Sequence, residues 1–205
     1  MTVLDINAVA ARDVVLSKFQ NLHPQFPGRW SPRAMTGLPL TESQLTTLIE
    51  AARWAPSCFN SQPWRFAYTL NGDDHWPLVL GTLMDANQSW ARNAGALIAV
   101  ASRRRFEHND QPAPTHAFDA GAAWMSLALQ AAHMGLVAHG MYGFDQAAAR
   151  EALRLPELYE LCAFVAVGHP GERDDLPERL RERETPSTRK ALAEICCAGT
   201  FEGLQ

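Results

Sequence analysis

The chain has no long apolar run, no regular cysteine spacing and no surplus of positive charge, and each absence removes a class of protein. No segment approaches the roughly 18 consecutive apolar residues of a membrane span. Residues 1–20 carry Asp5, Arg12 and Asp13 where a secretory leader needs an unbroken apolar core. A cytoplasmic protein without membrane association is expected. The four cysteines stand as Cys58, Cys162 and the adjacent Cys196 and Cys197, with no C-x-x-C. Neither a zinc site nor a disulfide framework is indicated, and reduced thiols are expected. Lys+Arg 18 against Asp+Glu 22 gives a formal charge of −4. A sequence-independent grip on nucleic acid or an anionic membrane needs the opposite imbalance, so neither is expected as a partner. The one basic run, Arg103-Arg104-Arg105, reads either as a solvated strand end or as a contact for an anionic ligand.

The common catalytic signatures are missing too. The seven histidines show no H-x-x-x-H or H-E-x-x-H spacing, so a metal centre has no support. No G-x-S-x-G elbow, no Walker glycine loop and no G-x-G-x-x-G after a strand occurs, which argues against serine hydrolysis, P-loop phosphoryl transfer and a Rossmann dinucleotide site.

What is present is an ordinary globular composition: 205 residues, 47% of them hydrophobic. A chain of this length buries roughly 70% of the surface it exposes when unfolded, so one domain spanning 1–205 is expected, without staples. The polar, proline-bearing stretches 107–116 and 171–186 do not read as linkers. Apolar residues at Ile6, Val9, Val14, Leu16 and Phe19 suggest an imperfect amphipathic helix over 5–19, ended by the prolines at 24, 27 and 32. Thr41 with Gln44 three residues on forms a capping box, and Leu45, Leu48, Ile49 and Ala52 then share a face of a helix that Pro56 stops. Strands are expected over 65–70, 96–101, 137–141 and 161–167, with shorter helices over 76–84 and over 145–153, the latter capped by Asp145.

Residues 118–136 carry Ala, Met, Leu and Trp on nearly every side of the helical wheel, and a helix apolar all round asks to be buried all round. Gly121, Ala122 and Ala123 allow another backbone to approach. Either this helix is the centre of a monomer core or a second subunit covers it. The apolar end, residues 191–198, poses the same choice, since it must be tied down on its own core or on a neighbour.

Two segments suit an anionic, planar ligand. Arg29-Trp30-Ser31-Pro32-Arg33 offers two guanidinium forks and a hydroxyl, stiffened by proline, to a phosphate. In 56–64, prolines bracket Ser57, Cys58, Asn60, Ser61 and Gln62, giving donors and acceptors of the kind that read a heteroaromatic edge; the plainer reading is an elaborate turn.

In their surroundings these residues resemble the FMN-dependent nitroreductase family. The matching segments are Arg29-x-Ser31-x-Arg33, then Ala51-Ala52-Arg53-Trp54-Ala55-Pro56-Ser57 running into Asn60-x-Gln62-Pro63-Trp64. Asp119-x-Gly121-Ala122-Ala123, Gly143-Phe144-Asp145, Gly168 with Pro170, and Arg189-Lys190-Ala191-Leu192 follow in the same order, so the resemblance spans residues 29–195. It implies an α+β fold: a three-layer α/β/α sandwich with a mixed, mostly antiparallel sheet flanked by helices. It also implies a homodimer whose C-terminal segment embraces the partner subunit, with one FMN per subunit at the interface.

By this resemblance Arg29, Ser31, Arg33 and Arg189 would hold the FMN phosphate and ribityl chain, with Trp30 beside them. Pro56, Ser57, Cys58 and Asn60 would come from the other subunit and line the flavin. Asn87 would meet the ribityl chain or pyrimidine, and Tyr142 and Gly143 would lie over the ring. Phe106 and His108, in the 103–116 loop, stand where relatives build a lid, and would contact substrate. Trp30 departs from a position that is often basic in relatives, and Cys58 from one that is often Ser or Ala. The implied activity is two-electron, ping-pong reduction of nitroaromatics, quinones or related electron-poor small molecules by NADH or NADPH. Flavin N5 would carry the chemistry, so no catalytic side chain is expected. Two alternatives remain open: different chemistry on the same fold, such as dehalogenation, dehydrogenation or flavin cleavage, and flavin binding without turnover.

Overall fold

A computed structural model describes residues 18–203; the helix expected over 5–19 lies outside them except for its last two positions. The helices are α1 (Gln25–Gly28), α2 (Glu42–Arg53), α3 (Trp76–Gly81), α4 (Asp85–Ala91), α5 (His116–His133), α6 (Gln146–Ala152) and α7 (Glu178–Arg181). The strands are β1 (Trp64–Leu70), β2 (Ala96–Arg103), β3 (Val137–Met141) and β4 (Tyr159–Gly168), in spatial order β1-β2-β4-β3, and all three pairings are antiparallel.

The alternation of a pleated strand sorts the core into two halves. From β2, Ala96, Ile98 and Val100 point to one face, where Leu45, Leu48 and Ala52 of α2 and Ala123, Leu127 and Ala131 of α5 cover them. Leu97 and Ala99 point to the other face, under Trp76 and Val79 of α3, Trp90 of α4 and Ala149 of α6. Both faces of β2 are therefore buried, which is why its sequence is continuously apolar rather than alternating. Helices on both sides of a sheet make the three-layer α+β sandwich.

Several local expectations hold in detail. Gln44 N donates to Thr41 Oγ1 at 3.2 Å while Thr41 N donates to Gln44 Oε1 at 2.9 Å. Asp145 accepts from the amides of Ala147 and Ala148 at 2.9 and 3.0 Å. Others differ. The helix expected over 76–84 stops at Gly81, because Leu83 pairs with Phe144, and a further helix that was not expected, α4, starts at Asp85. A single turn that was not expected, α1, has Pro24 at its N-cap and Pro27 as its third residue, as proline tolerates a first turn where its missing donor is not needed.

Among the described residues, helix α5 is not buried all round. Ala120, Ala123, Leu127, Ala128 and Ala131 are buried, while Phe118 and Met125, with Gly121 between them, form an exposed stripe. In the apolar end, Leu192, Ile195 and Phe201 likewise stand exposed among the described residues.

The last turn of the chain's path before the site is fixed by a close backbone approach. Thr36 N donates to His169 O at 3.1 Å and Gly171 N to Ala34 O at 3.0 Å. A Cβ on Gly171 would lie 2.8–2.9 Å from the Met35 backbone, so only glycine lets the two segments run together. This contact fastens residues 29–35 beside the end of β4.

Candidate active site

The 29–33 segment and the charged stretch after α7 meet in a cavity of about 300 Å³ lined by Arg29, Trp30, Ser31, Arg33, Arg183 and Arg189, with His139 of β3. Thr185 and Ser187 complete its wall. The two walls are latched by Glu184. This buried carboxylate accepts the amides of Arg33 at 2.6 Å and Ala34 at 2.8 Å, and its other oxygen lies 3.8 Å from Arg33 Nη1, an ion pair beyond hydrogen-bond reach.

Four guanidinium groups thus line one cavity, with the Glu184 carboxylate behind it against Arg33. Burial holds the Arg29 and Arg33 guanidiniums below their ordinary pKa, and the like charges of Arg189 and Arg183, respectively, push the same way; Glu184 opposes this at Arg33. Arg29 Nη1 donates to Ser31 Oγ at 3.2 Å, but its Nε is buried with no hydrogen-bond partner. A buried charged donor left unsatisfied is costly, and an anion seated among these groups would satisfy it. The residues present therefore fit a phosphate.

His139 is a site residue that sequence reasoning did not single out. It sits on β3 with its Nδ1 3.1 Å from Pro32 O, the carbonyl accepting, and its ring 4.7 Å from that of Trp90. Burial, reinforced by Arg33 and Arg29 and opposed by the Pro32 and Ser31 carbonyls, pushes its pKa down to about 4. Arg183, Thr185 and Ser187 were also missed, because they lie in a charge-rich stretch that reads as a solvated tail until tertiary contacts fold it back.

The neutral state of His139 has a stability consequence. Unfolded, the imidazole titrates near pH 6.5; folded, near 4, so the unfolded state binds more protons between these values and stability falls as pH drops through that window. The full loss is about 3 kcal/mol below the folded value. Equilibrium urea unfolding across that window is expected to show this slope in the parent and a flatter one in His139→Gln; parallel profiles would contradict the assignment.

The other expected site residues form two further groups. In the loop before β1, Phe59, Asn60 and Gln62 all adopt left-handed φ of 53°, 52° and 46°. Three non-glycine residues there store strain that surrounding contacts must hold. Ser57 Oγ accepts from Gln62 N at 3.0 Å, and the Cys58 amide donates to the buried Asp119 carboxylate at 3.2 Å, which Thr115 Oγ1 also reaches at 3.2 Å. Pro56 and Asn60 are exposed, and Ser57 and Cys58 are half-buried. The exposed Phe59 ring lies 5.7 Å from Phe106 and 5.9 Å from His108, which are 5.4 Å apart, so the loop and the expected lid residues join in one aromatic cluster. Phe106 is buried beneath it and His108 exposed.

The third group is Asn87, whose Nδ2 donates to Gly143 O at 2.9 Å, with Tyr142 exposed next to it. A Cβ on Gly143 would meet Asn87 Nδ2 at 2.7 Å. Of the expected cofactor residues, the cavity gathers Arg29, Trp30, Ser31, Arg33 and Arg189. Pro56, Ser57, Cys58, Asn60, Asn87, Tyr142 and Gly143 do not line it.

Comparison with known proteins bears on this architecture. The model of the nitroreductase family matches residues 27–75 and 70–169. A solved oxidoreductase containing FMN is 44% identical, with a TM-score of 0.85 over 89% of this chain and 93% of its own. A protein of Desulfovibrio desulfuricans solved in complex with FMN is 25% identical, with a TM-score of 0.69 over 86% of this chain and 95% of its own. An NADH dehydrogenase of Thermus thermophilus is 30% identical over 173 residues, 69% of this chain and 83% of the relative. The chain belongs to the nitroreductase family. It has that family's fold and is an oxidoreductase of that class.

Among the described residues no helix is long and apolar enough to cross a membrane.

Proposed function

We propose that the protein is an FMN-dependent NAD(P)H:acceptor oxidoreductase that works as a homodimer. The observation that carries the reading is the cavity lined by four arginines, with Arg29 Nε buried and unpartnered. Arg29, Ser31, Arg33 and Arg189 would hold the phosphate end of FMN, with Trp30 packed beside them. Bound FMN supplies two-electron chemistry between NADH or NADPH and an electron-poor acceptor such as a nitroaromatic or a quinone. The two relatives solved with FMN support that cofactor, and the NADH dehydrogenase supports a nicotinamide donor.

The dimer rests on surface that the described residues of one chain leave uncovered. The Phe118 and Met125 stripe of α5 and the apolar tail with Leu192, Ile195 and Phe201 need a partner to bury them. A second copy would also bring its strained loop, with Pro56, Ser57, Cys58 and Asn60, toward the flavin ring beside Asn87, Tyr142 and Gly143. Asp119 would hold that loop in shape, and Phe59, Phe106 and His108 would form the wall an aromatic acceptor meets. No side chain is needed for acid or base work; the chain's task is to bind, orient and exclude water.

Purified protein is expected to be dimeric by light scattering and yellow, or to become yellow when FMN is supplied. Under anaerobic conditions NADH or NADPH should bleach the flavin, and menadione or nitrofurazone should restore it. A colourless monomer that takes up no FMN would overturn the reading. Flavin colour that neither nicotinamide bleaches would replace it with flavin binding without turnover.

A further inference from the structure

We infer that His139 is a proton-accepting positioning residue of the cavity: it is neutral when the cavity is free and takes a proton from solvent when a phosphate monoester dianion enters. This rests on the phosphate reading above and extends it to a residue outside the expected set.

The argument is one of charge and geometry. His139 stands at the cavity wall, held by the Pro32 carbonyl on one side and the Trp90 ring on the other. The charged groups around it are Arg29 and Arg33 from the 29–33 segment, Arg183 and Arg189 from the opposite wall, and Glu184 between them. Its partner across the sheet is Ala166 of β4, and α4 presents Trp90, so no charge faces it from those elements.

Four positive charges lining the free cavity and the one negative charge of Glu184 behind it sum to +3, and the half-buried imidazole there stays unprotonated, with burial pushing its pKa down to about 4. A dianion brings the sum to +1. Each negative charge within about 6 Å shifts a protonation equilibrium on the order of a hundredfold at an effective dielectric near 20. The carbonyls of Pro32 and Ser31, already favouring the protonated ring, would accept from the imidazolium without rearrangement. The proton comes from buffer and goes to the ring nitrogen that the neutral tautomer leaves bare. The charge so formed lies under the 29–33 segment and attracts the bound phosphate.

A group whose pKa is raised by a ligand binds that ligand more tightly as pH falls. The phosphate's own second ionisation, near pH 6, works in the opposite direction. The parent must therefore be compared with a variant that leaves the phosphate unchanged. His139→Gln keeps a donor for the Pro32 carbonyl but cannot titrate. FMN is titrated calorimetrically into flavin-free protein, in buffers of different ionisation heat, near pH 6.5. The parent is expected to take up nearly one proton more per FMN than His139→Gln, and riboflavin, which lacks the phosphate, to give no difference. In the same samples the His139 ring nitrogens, assigned by their loss in the variant, should report a neutral ring in free protein and an imidazolium with FMN.

Equal proton counts in parent and variant, or a ring that stays neutral in the FMN complex, would overturn the role of His139 and leave the phosphate site standing. If neither protein binds FMN, the phosphate reading fails and this inference with it.

Discussion

Replacing Glu184 with alanine is expected to destabilise the protein by about 3–5 kcal/mol, a large part of the 5–15 kcal/mol that holds an ordinary domain together. The carboxylate is almost entirely enclosed and accepts the Arg33 and Ala34 amides at 2.6 and 2.8 Å. Alanine leaves both donors unsatisfied and removes the negative charge paired with Arg33. It also unlatches the stretch carrying Arg183 and Arg189 from the segment carrying Arg29 and Arg33. Glu184→Gln keeps an acceptor for the amides and loses only the charge, so it should fall between parent and alanine variant. Urea midpoints measured on all three would check the order. An alanine variant within about 0.5 kcal/mol of the parent would mean that the latch does not form.

The second large effect is on the cofactor. Arg29→Ala and Arg33→Ala are each expected to weaken FMN binding by about 1.5–3 kcal/mol, roughly tenfold to more than a hundredfold, the range for losing a charge-assisted contact. Arg29 should matter more. Its Nε is buried with no partner, so its interaction with a phosphate replaces nothing already present, whereas Arg33 shares its charge with Glu184. Arg189 already spends one nitrogen on the Ser187 and Thr188 carbonyls at 3.1 and 3.0 Å, which places it below both. Fluorescence titration with FMN and, in parallel, riboflavin separates the cases: only the phosphorylated ligand should respond. Full FMN occupancy in both Arg29→Ala and Arg33→Ala, as purified, would remove the phosphate from this cavity.

These two expectations draw on different amounts of sequence information. Arg29, Ser31 and Arg33 were legible because two guanidiniums and a hydroxyl within five residues, stiffened by Pro32, are already a local anion site. Glu184 was not, because a glutamate among arginines in 178–189 looks like any solvated charge until the Met35–Pro170 pairing and the Gly171 contact bring residues 33 and 184 together. His139 was hidden for a related reason. Its neighbours in sequence, on an otherwise apolar strand, say nothing of the arginines that arrive from residues 29, 33, 183 and 189.

The loop 57–62 is an intermediate case. Its small polar residues between prolines suggested a rigid recognition element, but the three left-handed residues and their restraint by Asp119 could not be read from composition. Ordinary side chains reach left-handed φ only where outside contacts hold them, and here the contact comes from the start of α5, 61 residues away.

By itself the sequence determined the parts whose causes are local. The capping box at Thr41 and Gln44, the Asp145 cap, the four strands and the long apolar helix each follow from neighbours within a few positions, where period and hydrogen-bonding valence act. Only the tertiary structure decided which side of α5 stays open, that the helix expected over 76–84 ends at Gly81, and which charges share a cavity. Burial and electrostatic field are sums over atoms distant in the chain, and neither exists until the backbone has closed.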